Sequence, residues 1–246
     1  MELRETFDTV AELYARARPS YPDEILDAIP SGDDMLEIAC GAGQLTKQLL
    51  ARGRRVTCVE LGPNLARVAQ REAPDARVIN ANFETWEVEG TYDVVACATA
   101  WAWIDERKYR QAHRALRPGG RLAIIDGYHV FPPGDEDPFF RQMQEVYRSL
   151  GEAPLDVWPT PDSTDTADRV AEIEATGLFT DVSERRVVQE VRYTPASYID
   201  VLGTFSSNLA KPDEYRHTLY AAVRRLAKGE IRKHFLVVLW TATRIG

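Results

Sequence analysis

The first 126 residues alternate strand-type and helix-type runs, and that alternation restricts the fold more than any other feature of the chain. Residues 35–39, 56–60, 77–80, 92–98 and 122–126 read as strands, the run 92–98 as one buried on both faces. Leu45, Leu49 and Leu50 recur at helical spacing after the first of them, with Gly53 as a stop. Helices are expected again over 63–72 and 105–116, and Pro118-Gly119-Gly120 reads as a turn. Two helices precede the first strand. One carries Val10, Leu13, Tyr14 and Ala17 and must stop before Pro19; the other opens at Pro22 and turns Ile25, Leu26 and Ile29 inward. Strands joined by helical crossovers lie parallel, so this half predicts a parallel sheet wrapped by helices.

The pattern changes after Gly127. Pro132, Pro133, Pro138, Pro154, Pro159 and Pro161 accumulate around a helix bearing Phe139, Phe140, Met143, Val146, Tyr147 and Leu150. This segment reads either as a lid or substrate wall over one end of the sheet, or as a surface excursion with its own small hydrophobic contact. A strand over 187–193, helices over 196–206 and 213–227, and a closing strand over 231–243 complete seven strands. The expected organisation is one domain, 1–246, with a core of about 1–126 and 182–246 and an insertion of about 127–181.

The formal charge of -8 disfavours general binding to phosphate backbones, although a local basic patch for one RNA stays open. Residues 94–104 form the longest uncharged stretch, too short to span a bilayer. The opening Met1–Arg18 segment contains Glu2, Glu5, Asp8 and Glu12, unlike acid-poor transit peptides. Cys40, Cys58 and Cys97 are odd in number and sit in apolar runs, which points to reduced thiols in a cytoplasm. His113, His129, His217 and His234 are dispersed, and no cluster has metal-ligand spacing.

Chemistry concentrates in Glu37-Ile38-Ala39-Cys40-Gly41-Ala42-Gly43, where the first strand runs into a helix. Glycines let the backbone approach a ligand, and a helix N-terminus offers free amides. The run continues Gln44-Leu45-Thr46, so the third glycine of a dinucleotide fingerprint is missing, and Glu37 would repel a pyrophosphate. A carboxylate there suits a ligand with a cationic end. Glu60, closing the second strand, can accept both hydroxyls of a ribose.

Together with Leu116-Arg117-Pro118-Gly119-Gly120, these segments resemble the class I S-adenosylmethionine (SAM)-dependent methyltransferases. A narrower resemblance, to a small-molecule subgroup related to trans-aconitate methyltransferase, rests on Phe7-Asp8 through Tyr14, Arg18-Pro19, Tyr21-Pro22, Ala98 to Trp103, Tyr193-Thr194 and Gly203 to Ser206. It implies an α/β, Rossmann-like, seven-stranded and mostly parallel sheet with helices on both faces, an antiparallel last strand and a small helical lid insertion. SAM is the implied cofactor, held by Glu37, Ala39, Gly41, Gly43, Glu60, Leu61, Asn82, Phe83 and Ala98, with Tyr14 and Arg18 closing over it. Asn82 stands where the family usually has Asp, and the alternative for it is a turn residue. For Tyr14 the alternative is helix core, and for Arg18 solvation. Trp101, Trp103, Tyr21 and Tyr128 are implied to face a small-molecule substrate, with core packing as the alternative for one of the tryptophans. Ala102 replaces the family's common His, leaving His129 as the only nearby candidate base. The implied reaction is methyl transfer to an oxygen, nitrogen or carboxylate nucleophile. A non-methylating SAM-binding protein or cyclase on the same fold is the alternative, and an NAD-dependent oxidoreductase is disfavoured by the missing glycine.

Overall fold

A computed structural model of the chain describes residues 3–134, 137–153, 155, 157–164, 166 and 168–246. Met1, Glu2 and Pro154, named above, lie outside the described residues. A 3-10 stretch, Leu3–Val10, leads into α1 (Ala11–Ala17), which ends two residues before Pro19, and α2 (Asp23–Leu26) follows Pro22. Next come β1 (Asp34–Ile38), α3 (Gln44–Leu50), β2 (Arg55–Glu60), α4 (Pro63–Glu72), β3 (Arg77–Asn80) and β4 (Tyr92–Ala98). The rest are α5 (Lys108–Ala115), β5 (Leu116–Val130), α6 (Pro138–Ser149), α7 (Arg169–Ala175), β6 (Phe179–Tyr193), α8 (Pro195–Leu202), α9 (Ser206–Leu209), α10 (Asp213–Leu226) and β7 (Ile231–Arg244).

The seven strands form one sheet in the order β3-β2-β1-β4-β5-β7-β6. Strands β1 to β5 pair in parallel, each inner strand being apolar because helices cover it. β7 runs the other way: Ser183 meets Thr241, Glu184 meets Trp240 and Glu190 meets His234, one partner rising in number as the other falls. This is the expected Rossmann-like sheet with its last strand antiparallel.

The chain divides into two compact units. One comprises 19–127, 166–187 and 237–246, with Met35, Leu36, Ile38, Val94, Val95, Leu122 and Ile124 fully buried at its centre. The other comprises 1–18, 128–165 and 188–236. Its core joins Phe139, Phe140, Met143 and Val146 of α6 to Tyr198, Val201 and Leu202 of α8, Leu219, Ala222 and Val223 of α10, and Ile231. The aromatic helix of the proline-rich segment thus shares a core with α8 and α10 rather than standing as a small satellite.

Three local expectations are corrected. Pro118-Gly119-Gly120 is not a turn before a short strand: β5 already pairs at Leu116 with Tyr92, and the register then shifts so that Arg121 meets Val94. The intervening residues bulge, with Gly119 at φ 73°, and a Cβ on Gly120 would sit 2.9 Å from the Arg117 carbonyl oxygen. The helix foreseen over 105–116 starts only at Lys108, because the Asp105 carboxylate accepts the Arg107 amide and holds a turn. β6 begins at Phe179, and α7 precedes it where no helix was foreseen.

Candidate active site

The strand order reverses between β1 and β4, the place where open α/β sheets leave a crevice at the carboxyl ends of the strands. Ile38 pairs with Cys97, so the residues leaving these strands start side by side. Two of them, Ala39 (φ 54°) and Thr99 (φ 56°), adopt left-handed backbone that costs a non-glycine residue about 1–3 kcal/mol. Gly41 and Gly43 are left-handed too, at φ 58° and 87°. A Cβ on Gly43 would make ordinary contact with the Ala69 Cα, at 3.4 Å, so it is the left-handed backbone rather than crowding against α4 that favours glycine here.

Glu60 ends β2 beside this turn, and its carboxylate is 5% exposed. The Gly41 amide donates to its Oε2 and the Gly62 amide to its Oε1, both at 2.9 Å. One side chain therefore ties the β1–α3 loop to the β2–α4 loop. Each carboxylate oxygen accepts more than one hydrogen bond, so this arrangement is compatible with further donors such as ribose hydroxyls. The residues present fit a nucleoside cofactor here.

Glu37 does not stand as an open carboxylate at a sheet tip. It is 2% exposed, its Oε2 accepts from the Thr46 hydroxyl at 2.7 Å, and the Cys58 thiol approaches at 4.0 Å. Burial, opposed by the Thr46 bond and reinforced by the Glu60 charge, raises its pKa to about 8, so the group is protonated at neutral pH. The expectation of a charge-based partner for a cationic end is corrected accordingly: Glu37 braces the first turn of α3. An unfolded glutamate ionises near pH 4.3. Between roughly that pH and 8 the unfolded chain releases a proton that the native chain keeps, so stability falls as pH rises through this window. Glu37→Gln should remove that slope, its melting temperature gaining on wild type between pH 5 and 8. Parallel melting curves for the two proteins would refute the assignment.

Asn82 works as a turn residue. Its Oδ1 accepts the Glu84 amide at 2.9 Å, while its carbonyl accepts from Thr85 and Trp86. Phe83 is 5% exposed, and its carbonyl accepts from Gln111. Leu61 is exposed and its carbonyl accepts from Asn80, whereas Ala98 is buried at the end of β4. Trp101 is fully buried, edge-on to Tyr109 with centroids 5.0 Å apart, and this corrects its expected exposure to a substrate. Trp103 is exposed. Tyr21 is fastened to α3 by a reciprocal pair with Gln48, at 2.9 Å each way, which sets its hydroxyl 3.5 Å from the Thr99 hydroxyl at the end of β4.

Sequence reasoning missed the support beneath this edge. Arg169 of α7, 6% exposed, pairs with Asp126 of β5 at 3.3 Å and with Glu172 at 2.5 Å. Lys108 joins Glu172 at 3.5 Å and donates to the Trp101 carbonyl at 3.1 Å. Burial outweighs the pull of Arg169 and leaves the Asp126 carboxyl above its ordinary range. Burial likewise opposes the Arg169 charge, but its two carboxylates more than compensate. The alternation of Asp126, Lys108, Arg169 and Glu172 across distant segments leaves no local signal.

In the other unit, Arg18 lies over the Tyr14 ring (4.9 Å) and the Phe205 ring (4.7 Å) and donates to the Thr204 carbonyl at 3.1 Å. Tyr14 also meets Phe7 edge-on. Tyr128 is half-buried beside His129. His129 packs against Phe131, Phe140 and Phe235 at 4.4, 5.0 and 6.1 Å, and its Nε2 is buried without a hydrogen-bond partner. Burial, helped by the Lys233 charge, lowers its pKa to about 2. Such an imidazole is a poor proton acceptor, and the expected base role is corrected. His129→Leu should leave catalytic turnover within about threefold of wild type, since a general base contributes 10²–10⁴; a loss above a hundredfold would restore the role.

All three cysteines are buried and free. Among the described residues no helix is long and apolar enough to cross a membrane, and no group of His, Cys, Asp and Glu could hold a metal ion.

The sheet order and the glycine turn at its reversal define a class I methyltransferase fold. Residues 35–120, from β1 to the β5 bulge, match the family described as "Methyltransferase domain". An uncharacterized methyltransferase of Mycobacterium tuberculosis is 28% identical over 225 residues, covering 90% of this chain and 85% of the relative. One from Schizosaccharomyces pombe is 23% identical over 233 residues, covering 91% and 87%. In fold the chain is similar to Haemonchus contortus phosphoethanolamine N-methyltransferase 2, with a TM-score of 0.57 and 15% identity over all of this chain and 61% of that longer one. The chain is an enzyme with SAM-dependent methyltransferase activity.

Proposed function

We propose that the chain methylates a small molecule at an oxygen, nitrogen or carboxylate nucleophile, with the nucleoside of SAM seated at the carboxyl ends of β1, β2 and β4. The observation that carries this reading is the Glu60 carboxylate, pinned between two loop amides at the sheet's point of reversal. In this reading Glu60 accepts from the ribose, Ala39, Gly41 and Gly43 provide close backbone approach, and Leu61, Asn82, Phe83 and Ala98 form the adenine surroundings. Glu37 acts as a positioning residue through Thr46. Tyr21, Trp103 and Tyr128 are proposed to face the substrate.

When bound, SAM supplies an activated methyl group on a sulfonium. The residues of the chain contribute alignment and exclusion of water, and alignment alone can supply about 7–11 kcal/mol in favourable cases. With Ala102 in place of a His and His129 buried, no base is evident among the described residues, which favours an acceptor that arrives already ionised, a carboxylate above all. That agrees with the resemblance to the trans-aconitate methyltransferase subgroup. The Haemonchus neighbour was solved in complex with phosphomonomethylethanolamine and S-adenosylhomocysteine. A cytoplasmic setting and the absence of a nucleic-acid partner are part of the same proposal, on the reduced thiols and acidic charge. Incubation with methyl-labelled SAM and a panel of carboxylic acids, phenols and amines should yield labelled product. SAM that binds and stays unconsumed across the panel would favour the non-methylating alternative, and tighter binding of NAD than of SAM would refute the cofactor.

A further inference from the structure

β6 ends the sheet. In the order β3-β2-β1-β4-β5-β7-β6 its neighbour is β7, and among the described residues no strand pairs with its outer edge. An open edge is a template for another strand, and proteins ordinarily blunt it with lysines, prolines or short length. β6 runs for 15 residues with neither a lysine nor a proline. Nor does charge of one sign protect it. Asp181, Glu184 and Glu190 are balanced by Arg185, Arg186 and Arg192, in a chain whose formal charge is -8. The left-handed Asp181, at φ 51°, lies near its start, outside the stretch that matters next.

Along one face of β6 the residues Glu184, Arg186, Val188, Glu190 and Arg192 are all exposed, the valine by 44%. Val187, Gln189 and Val191, on the other face, are half-buried, as the alternation of a strand requires. The exposed row is braced from β7: the Trp240 indole donates to Glu184 at 2.7 Å, and His234 stands 3.4 Å from Glu190. Within the row Arg186 lies 3.5 Å from Glu184, and Arg192 lies 2.7 Å from Glu190. The signs therefore read minus, plus, apolar, minus, plus. Read backwards, they become plus, minus, apolar, plus, minus, which is the complement of the same row. An antiparallel copy centred on Val188 would oppose Glu184 to Arg192, Arg186 to Glu190, and Val188 to itself. Every charge then meets its opposite both along the strand and across it. Sliding the copy by two residues opposes Glu184 to Glu190 in one direction and Arg186 to Arg192 in the other, and like charges across a ladder repel. The row thus specifies one register.

We propose that the outer edge of β6 pairs antiparallel with β6 of a second copy of this chain, about a two-fold axis at Val188. The contact is isologous, so each ion pair across it occurs twice and the two sheets continue into one. A strand from an unrelated protein has no reason to match this palindrome of charge; a second copy matches it by construction. The inference stands on the edge alone and does not depend on what the chain methylates.

Sedimentation of the full chain from about 1 to 500 µM should show a monomer–dimer equilibrium, a range suited to an interface smaller than the roughly 1,200 Å² of stable complexes. Val188→Lys sets two ammonium groups against each other at the axis. It should weaken the dimer by at least about tenfold and, on an exposed side chain, leave the melting temperature unchanged. Val188→Cys places two thiols at the axis with Cα atoms about 4.5–5.5 Å apart, within disulfide reach. The native cysteines are buried, so mild oxidation should cross-link this variant and not Val157→Cys, at a position 75% exposed away from the edge. Charge reversal tests the register. Glu184→Lys with Glu190→Lys, and separately Arg186→Glu with Arg192→Glu, should each give monomers that form a heterodimer when mixed. Glu184→Lys gives up the Trp240 bond, so melting curves precede the mixing; should that chain unfold, the two Val188 variants decide. A wild-type chain that stays monomeric throughout, a Val188→Lys chain that dimerises like wild type, or folded reversal variants that do not pair when mixed would each overturn the proposal.

Discussion

Arg169→Ala is expected to destabilise the protein by about 3–5 kcal/mol, because it takes the nearest cation from the Asp126 carboxylate, whose side chain is only 14% exposed. For a chain of this size that corresponds to a melting temperature lower by about 10 °C. Glu172 suffers less, since it is partly exposed and keeps Lys108 at 3.5 Å. The loss reaches the active-site edge because Asp126 follows Ile125, whose carbonyl accepts from Thr99, and because Lys108 holds the Trp101 carbonyl. Adding Asp126→Asn to Arg169→Ala should recover part of the loss, as the stranded charge is then gone. Denaturant unfolding measures both variants; a change below 1 kcal/mol for the single variant would show that the network carries little of the fold.

The second large effect concerns the cofactor. Glu60→Ala should weaken SAM binding by about 1.5–3 kcal/mol, roughly 10–150-fold, through loss of charge-assisted hydrogen bonds. The same substitution releases the Gly41 and Gly62 amides, so affinity alone does not isolate the ribose. The 2′-deoxy analogue of S-adenosylhomocysteine does. Wild type should discriminate against it, and Glu60→Ala should bind both nucleosides alike. Undiminished discrimination in the variant would remove Glu60 from the ribose.

Much of the backbone was legible in the sequence because covered parallel strands advertise themselves. The boundaries of α4, β3 and β4 agree with the periodicity, and the glycines of the first turn with its left-handed backbone. What stayed hidden has a common physical origin. The first half of β6, Thr180 to Arg186, is charged and exposed, and α7 is only seven residues long with Arg169, Glu172 and Glu174 among them, so neither carries a clear apolar period. Side-chain direction was harder still. On β1 both faces are buried, so alternation could not tell whether Glu37 faces a crevice or Thr46. Trp101 and Trp103 are two residues apart and share a composition, yet one is core and one is surface. Lys233 sits in a strand pattern that gives no hint of three rings closing around it.

A crystal structure of the chain with S-adenosylhomocysteine tests the central claim most directly. The account predicts the ribose hydroxyls about 2.6–3.2 Å from the Glu60 carboxylate, with the nucleoside over the left-handed turn that leaves β1. A nucleoside bound elsewhere, with no ribose hydroxyl within hydrogen-bond reach of Glu60, would contradict it.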